Sequence, residues 1–413
     1  MRKIEICRND CIAYYDTIHL SGQFASKNSH RTKCPICDAS RYVTDPKTGR
    51  VLPAKSMFHF QLKSYVRSLY NRPDLSAHLW HDCGDNPEGH VTRSRGFRQK
   101  VTENPHMASD NRNLALVGTT DGVPFFDDQI RGCWPFFFRC ANLPDSLSTL
   151  PANIHLGLLS ANEYYEVDKE SGVLRRRIRG PKSLNPHLTV LVDDLLGAYR
   201  KGITVCDSTR AYSDPDYTFQ CRVILLYWTG DYPALALVSG THSKMCHWCR
   251  MVSVHSPEIT RRCWCDYRRY LPSDHPWRRH GAFGAPETRP SPEPRNHPGY
   301  VADAVANINH RGYKKDRPYK TTGVKELSML GALPYFDLVW DVLPDMMHIV
   351  SVIWKGHVFQ MFVGKRTPAK PKNRVSWRGA KLDKEQHQDL HKHHYPQGAR
   401  LDADHPIRRK IYP

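Results

Sequence analysis

The stretch YTFQCRVILLYWTGD (217–231) constrains the fold more than any other part of the chain. It is rich in β-branched and aromatic residues, so it reads as one long strand buried on both sides. Such a strand needs neighbours and a covering layer. NLALVGTTDG (113–122), CWPFFFRCANL (133–143) and NIHLGLLSA (153–161) are further strand candidates. HLTVLVDDLLGAYRKG (187–202) places Leu188, Leu191, Val192, Leu195 and Leu196 on one helical side, with Gly202 as a stop. Three strands, a helix and another strand predict a mixed α/β layer over residues 113–250.

The flanking segments differ in texture. Residues 1–50 carry four cysteines and little else that is apolar, which predicts a small zinc-ribbon-like module. Residues 51–112 read as a helix followed by a linker. Phe58, Leu62, Tyr65, Val66 and Leu69 stand at helical spacing, and 84–111 is a polar linker or mobile loop. Residues 251–364 form an insertion and a helical region: 250–320 is rich in proline and arginine, and 333–364 returns to an apolar helical texture. Residues 365–413 look like a basic tail. No internal repeat is visible. The N-terminus has no apolar leader region, and no run of about 18 apolar residues offers a membrane span.

Charge narrows the partners. The 413 residues include 60 Lys+Arg against 41 Asp+Glu, a net charge of +19. A field of that sign attracts polyanions, and nucleic acid is the commonest large one. The 13 cysteines are an odd number, several of them paired at metal-ligand spacing, in a chain without a secretory leader. That pattern argues for a reducing compartment and zinc rather than disulfides.

Four features carry chemistry. Cys7 and Cys11, with Cys34 and Cys37 in CPIC, form two short-spaced pairs that supply the four ligands of tetrahedral Zn²⁺; four unrelated buried thiols are the plain alternative. Asp121 and Asp231 each follow an apolar strand and precede a turn. An isolated charge there is costly, and two such acids meeting at one sheet edge bind Mg²⁺ through hard oxygens. Ordinary turn residues are the alternative, since Asp-Gly is a common turn pair. Cys246 and Cys249 in CHWC form half a metal site, completed by Cys263 and Cys265 or by His348, His387 and His391. Last, RRRIRGPK (175–182) reads as a basic loop between strand and helix, with Arg175, Arg176, Arg177, Arg179 and Lys182 placed for DNA phosphates. RRCWCDYRRY and HPWRRH further along interleave arginine with aromatics that stack on unpaired bases.

The blocks CRNDC, CPICDASRY, LWH, TTDGVPFF, RCANLPD, RGPKSLNPHLTVLVDDLL, LLYWTGDYPALALVSGTHSKMCHWC, KTTGVKEL and LPYFDLVWDVLPDMMHI occur in that order. Together they resemble the Tnp2-type transposase of CACTA (En/Spm-like) DNA transposons, over roughly residues 5–365. The resemblance implies an RNase H-like mixed sheet with a helical insertion and an acidic triad. Asp121 matches the first acid and Asp231 the second. Cys246 and Cys249 match a Cys-x2-Cys that follows the second acid, and Met347–His348 match a Met-His element with Asp345 beside it. The implied activity is metal-dependent DNA strand cleavage and transfer at transposon ends. Mg²⁺ (or Mn²⁺) serves the acids and Zn²⁺ the cysteines. The partners are double-stranded DNA, as transposon ends and target, with a homo-oligomer left open; the compartment is the nucleus. A third acid, a glutamate, is expected well beyond the Met-His element. The chain ends at Pro413, where Glu385 is a weak substitute and Asp345 another. The expectation is therefore a C-terminally truncated copy, and the competing reading is a catalytically inactive, transposon-derived zinc- and DNA-binding protein. A Cys/His nucleophilic enzyme is disfavoured, because every recognisable cysteine setting is a metal pair.

Overall fold

The computed structural model describes residues 1–80, 90–124, 132–168, 170–242, 245–251, 254–256, 261–263, 293–310, 312, 316–348 and 350–351. Among the described residues the principal sheet has eight strands, seven of them in one row: β1 (Arg2–Glu5), β2 (Ser56–His59), β3 (Leu114–Thr120), β4 (Gly132–Cys140), β5 (Ile154–Ala161), β6 (Val223–Gly230) and β7 (Val342–Pro344). Their order across the sheet is β1-β2-β5-β4-β3-β6-β7, and the two-residue strand Val123–Pro124 pairs beside β4. Neighbours from β1 to β3 are antiparallel, whereas β6 runs parallel to β3 and β7 parallel to β6. The change to parallel pairing requires a crossover, because a hairpin cannot join parallel strands.

Helices α1 (Leu62–Tyr70), α2 (Arg95–Glu103), α3 (Asn185–Arg200), α4 (Tyr232–Ser239) and α5 (His297–Asn309) complete the framework. The crossover from β5 to β6 runs through α3. Pro186 starts that helix, where its missing N–H costs nothing, and Gly202 closes the turn beyond it with φ +79°. Leu188, Val190, Leu191, Val192, Leu195 and Leu196 are all buried in one core with Leu116, Ile224 and Trp228. Asp193, also buried, accepts the backbone N–H groups of Ile18, His19 and Leu20 and the Tyr15 hydroxyl, so the helix fastens an N-terminal loop. The chain divides into two compact units, Met1–His255 with Arg262–Pro344, and Ser256–Arg261 with Asp345–Pro413. The seven strands and five helices belong to the first.

Several elements differ from expectation. The segment containing Phe58 is strand β2, not helix, and α1 begins only at Leu62. The polar stretch 84–111, expected as a linker, contains α2 and a further helical turn, Pro105–Ala108, anchored by buried Phe97 and Met107. Lys100 on α2 donates to Asp341 at 2.5 Å and to Tyr335 O at 2.7 Å. The long strand expected over 217–231 is two. Thr218–Cys221 pairs with Ile203–Cys206 in a separate hairpin, and β6 starts after Arg222, whose N–H donates to the Asn113 side chain. Within the segment expected to be helical, 342–344 is strand β7. The four-cysteine segment, expected as a module over 1–50, is joined to the principal sheet through β1. The basic tail 365–413 lies outside the described residues.

Candidate metal centre and acid edge

Four thiols converge near the N-terminus. The Sγ atoms of Cys7, Cys11, Cys34 and Cys37 all lie within 4.8 Å of one another, with Cys7 and Cys37 3.5 Å apart. The two turns that present them are built alike. The Cys7 N–H donates to Ile12 O and the Cys34 N–H to Ala39 O, both at 2.9 Å. Each turn contains an aspartate in the left-handed region, Asp10 at φ 57° and Asp38 at φ 54°, a conformation aspartate tolerates better than most residues. Zinc holds thiolates at about 2.3 Å in a tetrahedron, which sets sulfurs roughly 3.8 Å apart, so the cluster fits the ion. Burial, followed by the Cys7 charge, pushes the Cys11 thiol well above its ordinary range, and burial pushes Cys7 up to about 11. Burial also opposes ionisation of Cys37, but hydrogen bonds led by the Asn9 side chain bring it down to about 6. A cation among the four thiols would let all four ionise together.

Asp10 is a site residue that the sequence patterns do not single out. Its side chain is fully buried against the equally buried Lys55 ammonium. Its Oδ2 accepts the Lys182 N–H at 3.0 Å. An acid directly preceding a cysteine ligand in RNDC is the only sequence trace of this contact.

Asp121 and Asp231 leave the sheet side by side. Thr119 on β3 stands opposite Thr229 on parallel β6, and each acid follows two positions later. The strands remain close to their ends, since a Cβ on Gly230 would meet Thr120 O at 3.4 Å. Asp121 is exposed and its Oδ1 accepts the Gly122 N–H at 2.6 Å. Asp231 is half-buried and caps α4, its Oδ1 accepting the Ala234 N–H at 2.8 Å. Beyond the carboxyl ends of parallel strands lies the crevice where open α/β sheets bind ligands. Trp134 lines the approach. A Cβ on Gly122 would stand 3.3 Å from its indole, and one on Gly180 4.0 Å from its Nε1.

The other expected residues are placed differently. Asp345 and His348 belong to the second compact unit. There His348 Nδ1 lies 2.8 Å from Asp345 Oδ2, and Asp345 Oδ1 accepts the Met347 N–H at 2.9 Å. Cys246 and Cys249 do face each other: their mutual hydrogen bond draws Cys246 down to about 6 and pushes Cys249 up. Among the described residues no third ligand group stands with them. Their turn is held instead by buried Arg295, whose Nε donates to Cys246 O and Cys249 O at 3.2 and 3.1 Å. Cys263 is described only as strand backbone, and Cys265, Glu385, His387 and His391 lie outside the described residues.

The basic loop expected at 175–182 is half strand. Leu174–Ile178 pairs with Glu163–Val167 in a hairpin that sets arginines opposite acids. Arg177 binds Glu166 at 2.6 Å and Asp168 at 2.9 Å, Arg176 lies 3.4 Å from Glu163, and Arg175 lies 3.6 Å from Asp168. Arg179 reaches the first cysteine turn, donating to Arg8 O at 2.5 Å. Lys182 is exposed.

Fold and sites together define a mixed α/β protein with a four-cysteine centre that could hold zinc and a pair of acids at one sheet edge. The transposase family tnp2 matches residues 85–300, just over half of the chain, and the chain belongs to that family. The matched span contains Asp121, Asp231, Cys246, Cys249 and the arginine hairpin, and leaves out the four-cysteine centre, Asp345 and His348. Comparison with curated proteins returns no match. Among the described residues no helix is long and apolar enough to cross a membrane.

Proposed function

We propose that this tnp2-family chain is a DNA transposase of the CACTA (En/Spm-like) kind, acting in the nucleus, which cleaves and transfers DNA strands at transposon ends on an RNase H-like sheet. The observation that carries this reading is the parallel pairing of β3 and β6, which delivers Asp121 and Asp231 to one edge. The sheet order supports it as well. An antiparallel run, β5-β4-β3, is extended on the far side of β3 by two strands parallel to it, as an RNase H-like core requires.

Asp121 and Asp231 would hold Mg²⁺ or Mn²⁺, for which their hard oxygens are suited. A bound divalent ion there supplies charge stabilisation to the phosphoryl oxygens as the DNA strand is cut. The α4 cap uses Asp231 Oδ1 and fixes the orientation of the carboxylate. Lys182 and the net charge of +19 draw in the DNA backbone. One observation favours the inactive, binding-only alternative. Asp345, the sequence candidate for a third acid, already commits both oxygens to His348 and the Met347 N–H.

A labelled transposon-end oligonucleotide incubated with the protein and Mg²⁺ or Mn²⁺ tests the proposal. Asparagine caps helices as well as aspartate does, whereas alanine costs about 1 kcal/mol. Asp231→Asn should therefore keep wild-type stability and lose cleavage, while Asp231→Ala loses both. Equal cleavage by wild type and Asp231→Asn removes Asp231 from the chemistry. Wild type that binds the oligonucleotide but never cuts it establishes the binding-only reading.

A further inference from the structure

We infer that Asp10 is a positioning residue that ties the four-cysteine centre to the loop 179–182 beside the acid edge, so that DNA engagement there depends on the centre holding its metal. The inference rests on the reading of that edge as the DNA-engaging one. The first cysteine turn and the loop are joined three times. Asp10 Oδ2 accepts the Lys182 N–H at 3.0 Å, Arg179 Nη2 lies 3.9 Å from the same oxygen, and Arg179 donates to Arg8 O at 2.5 Å. Stacking of the Arg179 guanidinium over Tyr164, 5.0 Å from the ring centre, holds it in that direction. On its other side the loop faces Trp134: a Cβ on Gly180 would stand 4.0 Å from its Nε1, and one on Gly122, next to Asp121, 3.3 Å from the same indole. Hydrogen bonds thus join the first cysteine turn to the loop, and the loop and Gly122 lie beside one indole.

The coupling follows from backbone and burial together. Asp10 sits between two cysteine ligands at φ 57°, a left-handed conformation that a residue with a Cβ keeps only where its surroundings fix it. Metal on Cys7 and Cys11 would pin it there. Release of the turn frees Asp10 to move, strips Lys55 of its only charge partner among the described residues, and unfastens Lys182. The Lys182 side chain is exposed and makes no ion pair among the described residues, so it is placed to meet a phosphate.

The test measures binding of a labelled duplex oligonucleotide over a range of salt concentrations, with zinc content and hydrogen exchange of the 179–182 amides as further readouts. Lys182→Ala should lower the steepness of the salt dependence by about one. The double variant Asp10→Gly/Lys55→Met removes the oxygen that accepts the Lys182 N–H without burying an unpaired charge, and glycine adopts the φ of 57° freely. It should retain zinc, lose amide protection over 179–182 and show the same reduction of about one in the salt slope. Wild type stripped of zinc by a chelator should behave alike. Unchanged protection and slope in the double variant overturn the inference. So does loss of zinc from it, since Asp10 would then serve the metal centre itself. If the double variant does not fold, Arg179→Gln cuts the latch from the loop side, and an unchanged slope there is equally decisive. A salt slope that ignores Lys182→Ala refutes the acid-edge reading, while amide protection still reports on the latch.

Discussion

His187 lies fully buried beneath the acid edge, stacked on Phe136 with ring centres 5.7 Å apart, and its Nε2 is 2.9 Å from Ser160 Oγ. Phe136 is the residue opposite Thr120, the last of β3. Burial, with the Lys55 charge adding to it, pushes the imidazole pKa down to about 3. The unfolded chain takes up that proton near pH 6.5. Between these values the unfolded state binds the proton and the folded state does not, so stability is lost as pH falls from about 6.5 towards 3. His187→Gln should therefore lose less stability than wild type between about pH 6.5 and pH 4.5, read from urea midpoints at each pH. Equal losses would mean that the folded chain protonates His187. Nothing in HLTVLVDDLL marks its first residue as the most deeply buried histidine among the described residues; only the sheet beneath decides that.

At the scale of elements, the centre of β3 is set by one close approach. A Cβ on Gly118 would fall 2.5 Å from Trp228 Cε3 on β6. Trp228 is fully buried and edge-on to Phe136 and Phe138, with centroids at 6.2 and 6.0 Å, so the ring has little room to retreat. Gly118→Ala should cost roughly 1–3 kcal/mol. The expected signature is a lower denaturation midpoint at unchanged m-value, and an unaltered midpoint would show that the indole gives way. The strands β3, β4 and β5 and helix α3 are legible in sequence because each carries a long, largely apolar run, nearly all buried in β3 and alternately buried in most of β4. The short elements are not. β2 and β7 are four and three residues long, too few to establish a period. α2 rests on buried Phe97 and a lysine bonded to Asp341, far along the chain. The break at Arg222 depends on the partner Asn113, which no local pattern reveals.

For the whole molecule, the charge of +19 promises salt-sensitive DNA binding, yet the structure distributes that charge unevenly. Arg175, Arg176 and Arg177 are each within ion-pair distance of Glu163, Glu166 or Asp168. Replacing all three with glutamine should therefore reduce the salt slope by clearly less than the ~0.9 per residue of a free cation. A fall near three would show that DNA displaces the acids. Spacing alone marked the four cysteines, the two strand-end aspartates and the buried central strand, because each is a short-range demand: a metal's ligand count, a charge's aversion to an apolar end, a strand's need of cover. Tertiary structure alone decided that β3 and β6 run parallel and adjacent, that the arginine run faces its own acids, and that Asp10 latches one site to the loop beside the other. Those outcomes depend on partners tens to hundreds of residues away, and the free energy of such contacts is written only in the folded arrangement.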